Sequence, residues 1–155
     1  MKPLVLLLVT FTVALLFFRI QEGIYNFNLS ARIAMSMLLL FTALGHFLFT
    51  EGMAMMIPDF IPFKKELVYA TAIIEILAAF ALHIAQLRVI TAWLLILFFI
   101  LIIPANIKAA IESINYQNGT YTGKGVNYLW FRIPLQFLYI TWVYLSAIRT
   151  ELFNA

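Results

Sequence analysis

Apolar residues run through this chain in blocks of roughly one helical membrane crossing, separated by short polar interruptions. A helix needs about 20 mostly apolar residues to cross a hydrocarbon core roughly 30 Å thick, because each residue rises about 1.5 Å. Five blocks meet that length, at about 3–20, 31–50, 67–87, 89–110 and 128–148. The first, PLVLLLVTFTVALLFF, follows Lys2 and has the short apolar core of a signal peptide. The residues after it, RIQEGIYNF, offer no small-x-small cleavage site, so the block reads as a retained helix. Between the second and third blocks, EGMAMMIPDFIPFKKE carries Pro58 and Pro62 among mixed charges and reads as a structured interfacial loop. The third and fourth blocks join almost directly around Gln86 and Arg88, which predicts an antiparallel hairpin. Before the last block, SINYQNGTYTGKGVNY reads as turns at the membrane surface.

Composition agrees with the pattern. Of 155 residues, 65% are hydrophobic and 11% charged, where a soluble domain carries about 25% charged residues. The expectation is an all-α integral membrane bundle, one domain over 1–155, with no room for a separate soluble domain. The net charge of +3 is spread along the chain and suggests no nucleic-acid surface. There is no cysteine and there are two histidines, His46 and His83, so thiol chemistry and thiolate-ligated metal are excluded and a haem or zinc site is not expected. GTYTGKG lacks the spacing of a phosphate-binding loop, and the sequons at Asn28 and Asn118 are patterns that recur by chance. No catalytic residue, metal ligand or built-in cofactor is assigned.

Antiparallel alternation brings the end of the second block, the start of the third, the end of the fourth and the start of the fifth to one membrane face. His46, Glu75, Asn106, Arg132 and Gln136 all lie on those half-helices, with Pro104 and Pro134 among them. Helical rise puts Glu75 and Gln136 about 12 Å in and His46 and Arg132 about 6 Å in. Thr42, His46 and Thr50 follow an i, i+4 row, as do Thr71 and Glu75, and Arg132 and Gln136, so each helix offers a narrow polar stripe. A lone carboxylate at such depth costs at least about 2.5 kcal/mol. Glu75 is therefore expected to take Arg132, the one fully charged cation at depth on that face. Glu51, just past His46, is placed at the mouth of the cluster. Asp59, Lys64, Lys65 and Glu66 read as a headgroup-level charge cluster, and His83 and Gln86 as interfacial groups at the opposite end. Trp93, Trp130 and Tyr144 fit aromatic belts.

The succession GHFLFTEGMAMMIPDFIP, LVYATAIIEILAAFALHI, WLLILFFILIIPANIKAAI and YLWFRIPLQFLYITW resembles the DoxX-like family of small bacterial membrane proteins over about 31–148. The resemblance implies a four-helix membrane core, to which residues 1–30 add one N-terminal transmembrane helix. It places the family's histidine, glutamate, Pro-Ala-Asn and Arg-x-Pro-x-Gln positions on His46, Glu75, Pro104 to Asn106, and Arg132 to Gln136. It also implies a bacterial inner-membrane location and an association with quinone-linked redox systems. Four-span members are expected to keep both ends in the cytoplasm, with the polar face outside. The distribution of Lys and Arg favours that face inside, so both orientations stand.

Three functions follow. In the first, the half-buried cluster binds quinone or lipid and works with a membrane redox partner. In the second, the chain is a non-catalytic accessory subunit whose polar core sets helix register. In the third, Glu75 and His46 exchange protons in a small-molecule transporter, which would need at least a homo-oligomer. The bilayer is the expected environment in all three.

Overall fold

The computed structural model describes residues 2–149, which are helical apart from turns and one isolated bridge between Asn115 and Thr120. Helix α1 (Lys2–Glu22) ends where Gly23 takes φ +73°, a left-handed setting glycine adopts at no steric cost. Asn26 then caps α2 (Phe27–Leu48), its side-chain oxygen accepting the Leu29 N–H at 3.2 Å. The chain bends at Phe49 into the short α3 (Thr50–Met56) and reaches α4 (Lys64–Ala81) through the proline-bearing loop. Residues 82–84 turn it into α5 (Ala85–Leu101), which α6 (Ile103–Ile111) continues after a break at Ile102. Pro104 stands in the first turn of α6, where a missing N–H costs least, so the rod is interrupted there and resumes. Helix α7 (Leu129–Val143) runs through Pro134 and closes in the wide π-helical turns Tyr144–Arg149.

Helix α2 is the central element, packed against α1 on one side and α4 on the other and touching the end of α7. Buried Ala34, Ala78, Ala79, Ala92 and Ala147 let the helix backbones approach, and Leu38, Leu39 and Leu95 fill the space between them. The outer faces carry exposed Val5, Val9, Ile73, Leu77, Leu94 and Leu97, a surface that water would penalise and lipid accepts. Among the described residues four helical stretches are long and apolar enough to cross a membrane: Lys2–Glu22, Phe27–Leu48, Ala85–Ile111 and Val126–Arg149. The protein is an all-α membrane bundle. Its N-terminal helix belongs to that bundle, with Leu7 buried and the Phe11 ring set edge-on to Trp142 at 5.1 Å.

The third predicted span, 67–87, forms instead as the shorter α4, whose 18 residues include Lys64, Lys65, Glu66 and Glu75. Buried Leu82 anchors the turn in the core, so Gln86 and Arg88 lie within α5 and not in the connection.

One end of the bundle is closed by α3, α6 and two loops. A Cβ built on Gly52 would lie 1.9 Å from the Tyr116 carbonyl oxygen, so α3 meets the α6–α7 loop backbone to backbone. Lys108 of α6 donates to the Ile57 carbonyl at 3.0 Å and to Asp59 at 2.8 Å, with Glu112 at 3.9 Å. Lys64 donates to the same Asp59 oxygen at 2.7 Å. These ties hold the α3–α4 loop down on α6.

Two outcomes follow. Gly52→Ala has no room for its methyl and is expected to cost about 1–3 kcal/mol as an overpacked contact. Its melting temperature in detergent should fall and trypsin should cut more readily at Lys124; no change in either would show that the loop does not rest on Gly52. Lys108, and after it Lys64, hold the Asp59 carboxyl at about 2 instead of its ordinary 3.8. The folded value lies below the unfolded one, so this tie is complete above about pH 4 and is lost as pH falls toward 2. Hydrogen exchange over residues 57–63 should quicken across that window, and Asp59→Asn should remove the step.

Candidate functional site

His46, near the C-terminal end of α2, presents one ring nitrogen to each of two groups on α4. Its Nε2 lies 3.3 Å from Glu75 Oε2 and its Nδ1 3.4 Å from Thr71 Oγ1. Thr71 spends its own proton on the Val68 carbonyl at 2.7 Å, which leaves its oxygen lone pairs for the imidazole. Thr42, one turn before His46, stands against the same Glu75 carboxyl. The predicted i, i+4 rows thus face one another across the α2–α4 contact. The Glu75 side chain is only 6% exposed, and its Oε2 has His46 nearby but no aligned hydrogen-bond donor.

Arg132 sits elsewhere. Its Nη1 donates to Asn106 Oδ1, and its guanidinium lies over the rings of Tyr128 at 5.3 Å and Tyr116 at 5.7 Å. Two aromatic faces and an amide compensate the cation there. The expected Glu75–Arg132 pair does not form, because α4 turns Glu75 toward α2 while α7 carries Arg132 against α6. Gln136, one turn on from Arg132, is buried with its Oε1 unpartnered, as is the Tyr139 hydroxyl three residues later. Among the described residues no hydrogen bond or ion pair joins the His46–Glu75 pair to the Arg132–Asn106 pair. Pro104 and Pro134 are both on exposed faces.

An open cleft of about 360 Å³ lies at the interfacial end, and none of His46, Glu75, Asn106 and Arg132 lines it. Phe47 and Tyr69 stack at 5.9 Å on one wall, and Phe49 and Tyr116 meet edge to face at 6.0 Å on another. Thr50, on the cleft floor, donates to the His46 carbonyl at 2.7 Å, and Tyr116 is the ring beneath Arg132. Glu51, expected at the mouth of the polar cluster, lines this cleft. It is turned outward, however, and bound to Lys65, and touches neither buried pair. Tyr116 is the participant that sequence reasoning missed, since its segment reads as turns and only the crossing of Gly52 fixes it.

Polarity is not confined to this end, as the sequence suggested. At the other end buried Arg32 donates to the Ser146 carbonyl at 3.2 Å, and Ser36 joins the Ala79 carbonyl at 2.7 Å to His83 Nε2 at 3.0 Å. Arg32 and Ser36 form an i, i+4 row on α2 that was visible in the chain. No group of three or more His, Asp or Glu side chains comes together as a metal site among the described residues.

Removing one member of the His46–Glu75 pair should be worse than removing both. His46→Leu leaves the buried Glu75 carboxyl without its neighbour and is expected to cost about 1–3 kcal/mol, while His46→Leu with Glu75→Leu recovers most of it. Unfolding of the two single variants and the double variant in mixed detergent measures the coupling, and strictly additive losses would show that the two side chains are independent.

No curated protein and no solved structure matches the chain. One family does, from within α2 to the π-helical turns that follow α7, a stretch that contains every residue of both buried pairs and leaves α1 outside. The chain belongs to the family described as Domain of unknown function (DUF8561), which it matches over residues 35–147.

Proposed function

We propose that this is a DoxX-like, multi-pass protein of a bacterial inner membrane whose interfacial cleft binds an amphipathic small molecule, a quinone or a lipid, alongside a membrane redox partner. The observation that carries this reading is the aromatic-walled cleft, which touches Arg132 through the Tyr116 ring and lies beside His46, whose backbone carbonyl takes the Thr50 hydroxyl. Its volume falls within the range of small-molecule sites. Phe47 and Tyr69 are each nearly half exposed on the flank of α2 and α4, so an acyl or isoprenoid tail can pass between them toward lipid. The head group then rests among Thr50, Glu51 and Asn118. His46, Glu75, Asn106 and Arg132 shape the site by holding its floor and wall in register, and no bond-breaking role is assigned to them.

Gently purified protein should carry a lipid or quinone in native mass spectrometry. Tyr69→Ala, which removes one aromatic wall, should lower its occupancy about tenfold. An empty wild-type protein, or occupancy unchanged in both Tyr69→Ala and Arg132→Ala, would overturn the reading.

A further inference from the structure

We infer that the cleft recognises a zwitterionic phospholipid head group, its ammonium held by the aromatic walls and Glu51 and its phosphate by Lys65. This rests on the cleft being the ligand site proposed above, and it names the chemistry of the head. Four aromatic residues, Phe47, Phe49, Tyr69 and Tyr116, line the cleft as two packed pairs. Aromatic faces attract organic cations. The Tyr116 ring already carries a cation, the Arg132 guanidinium at 5.7 Å, which leaves Phe47, Phe49 and Tyr69 for the ligand. Glu51 adds a full negative charge to the same rim.

The second half of the argument is charge order. Glu51 is bound to Lys65, and both side chains are more than half exposed, at 76% and 55%. Such a pair is screened by water and exchanges partners readily. A head group carrying one ammonium and one phosphate can replace it like for like, ammonium on Glu51 and phosphate on Lys65, leaving neither protein charge unmet. A quinone ring offers no charge to either residue. An anionic head group satisfies Lys65 but meets Glu51 with like charge. Lys64, the neighbouring cation, is already committed to Asp59, so Lys65 is the phosphate contact at this edge of α4.

The full-length protein would be equilibrated with vesicles of equal parts phosphatidylethanolamine and phosphatidylglycerol containing a few per cent ubiquinone, and its retained ligands weighed by native mass spectrometry. Phosphatidylethanolamine is expected to be retained about tenfold over phosphatidylglycerol. Glu51→Gln, an exposed change that leaves the melting temperature in place, should bring the two lipids close to parity. Retention of phosphatidylglycerol equal to or above phosphatidylethanolamine overturns the inference, as does undiminished selectivity in Glu51→Gln. Retention of ubiquinone in place of both lipids overturns it as well, while leaving the broader proposal standing. Retention of nothing overturns both.

Discussion

A carboxyl placed inside a membrane bundle needs polar partners at its own depth, and Glu75 imposes that condition on everything packed around it. Those partners come from α2. Because His46 reaches both Glu75 and Thr71, one turn apart on α4, and Thr42 stands against the same carboxyl, the register of α2 on α4 is fixed by side chains from both helices. The small residues Ala34, Ala78 and Ala79 then let the two backbones close over the rest of their length. With α4 occupied in this way, Arg132 has to be compensated on the far side, and the amide of Asn106 and the rings of Tyr116 and Tyr128 supply what a carboxylate would otherwise have given.

That arrangement needs a fixed Tyr116, which belongs to a loop. The loop is held because Gly52 lets α3 approach its backbone without a side chain between them, and because α6 is tied through Lys108 to the segment on the other side of α3. The interfacial end is therefore a closed circuit: α3 meets the α6–α7 loop, Lys108 of α6 grips the α3–α4 loop, and Arg132 of α7 sits on the ring that α3 has positioned. A cleft between such walls is set before any ligand arrives, which is the condition under which aromatic contacts contribute affinity without an ordering cost.

Much of this was legible in the chain. Apolar blocks located α1, α2, the α5–α6 rod and α7, and the i, i+4 rows of Thr42 with His46 and of Thr71 with Glu75 named the residues that line one face. Periodicity reports which residues share a face but not which neighbour that face meets, and so it could not separate His46 from Arg132 as the partner of Glu75. Alternation alone made both available. The choice was decided by α4 packing on α2 while α7 packs on α5 and α6, a matter of lateral order that no single helix encodes. Contacts that depend on backbone crossing, such as Gly52 with Tyr116, or on the accepting carbonyl of another helix, such as Ser146 with Arg32, leave still less trace in composition.

The two ends of the bundle use one device for their histidines and differ in what they add to it. Thr71 and Ser36 each donate their proton to a helix carbonyl and turn an oxygen lone pair to an imidazole, so a single hydroxyl settles a ring nitrogen that the bilayer cannot hydrate. At the Ser36 end the charges around His83 are cationic, from Arg32 and Arg88. At the Thr71 end the other ring nitrogen faces a buried carboxylate, and the whole pair lies one helical step from an aromatic cleft open to the interface. The buried acid serves the α2–α4 register at this end, and the open cleft beside it is an addition that packing alone does not call for, which is why the proposed site is placed there.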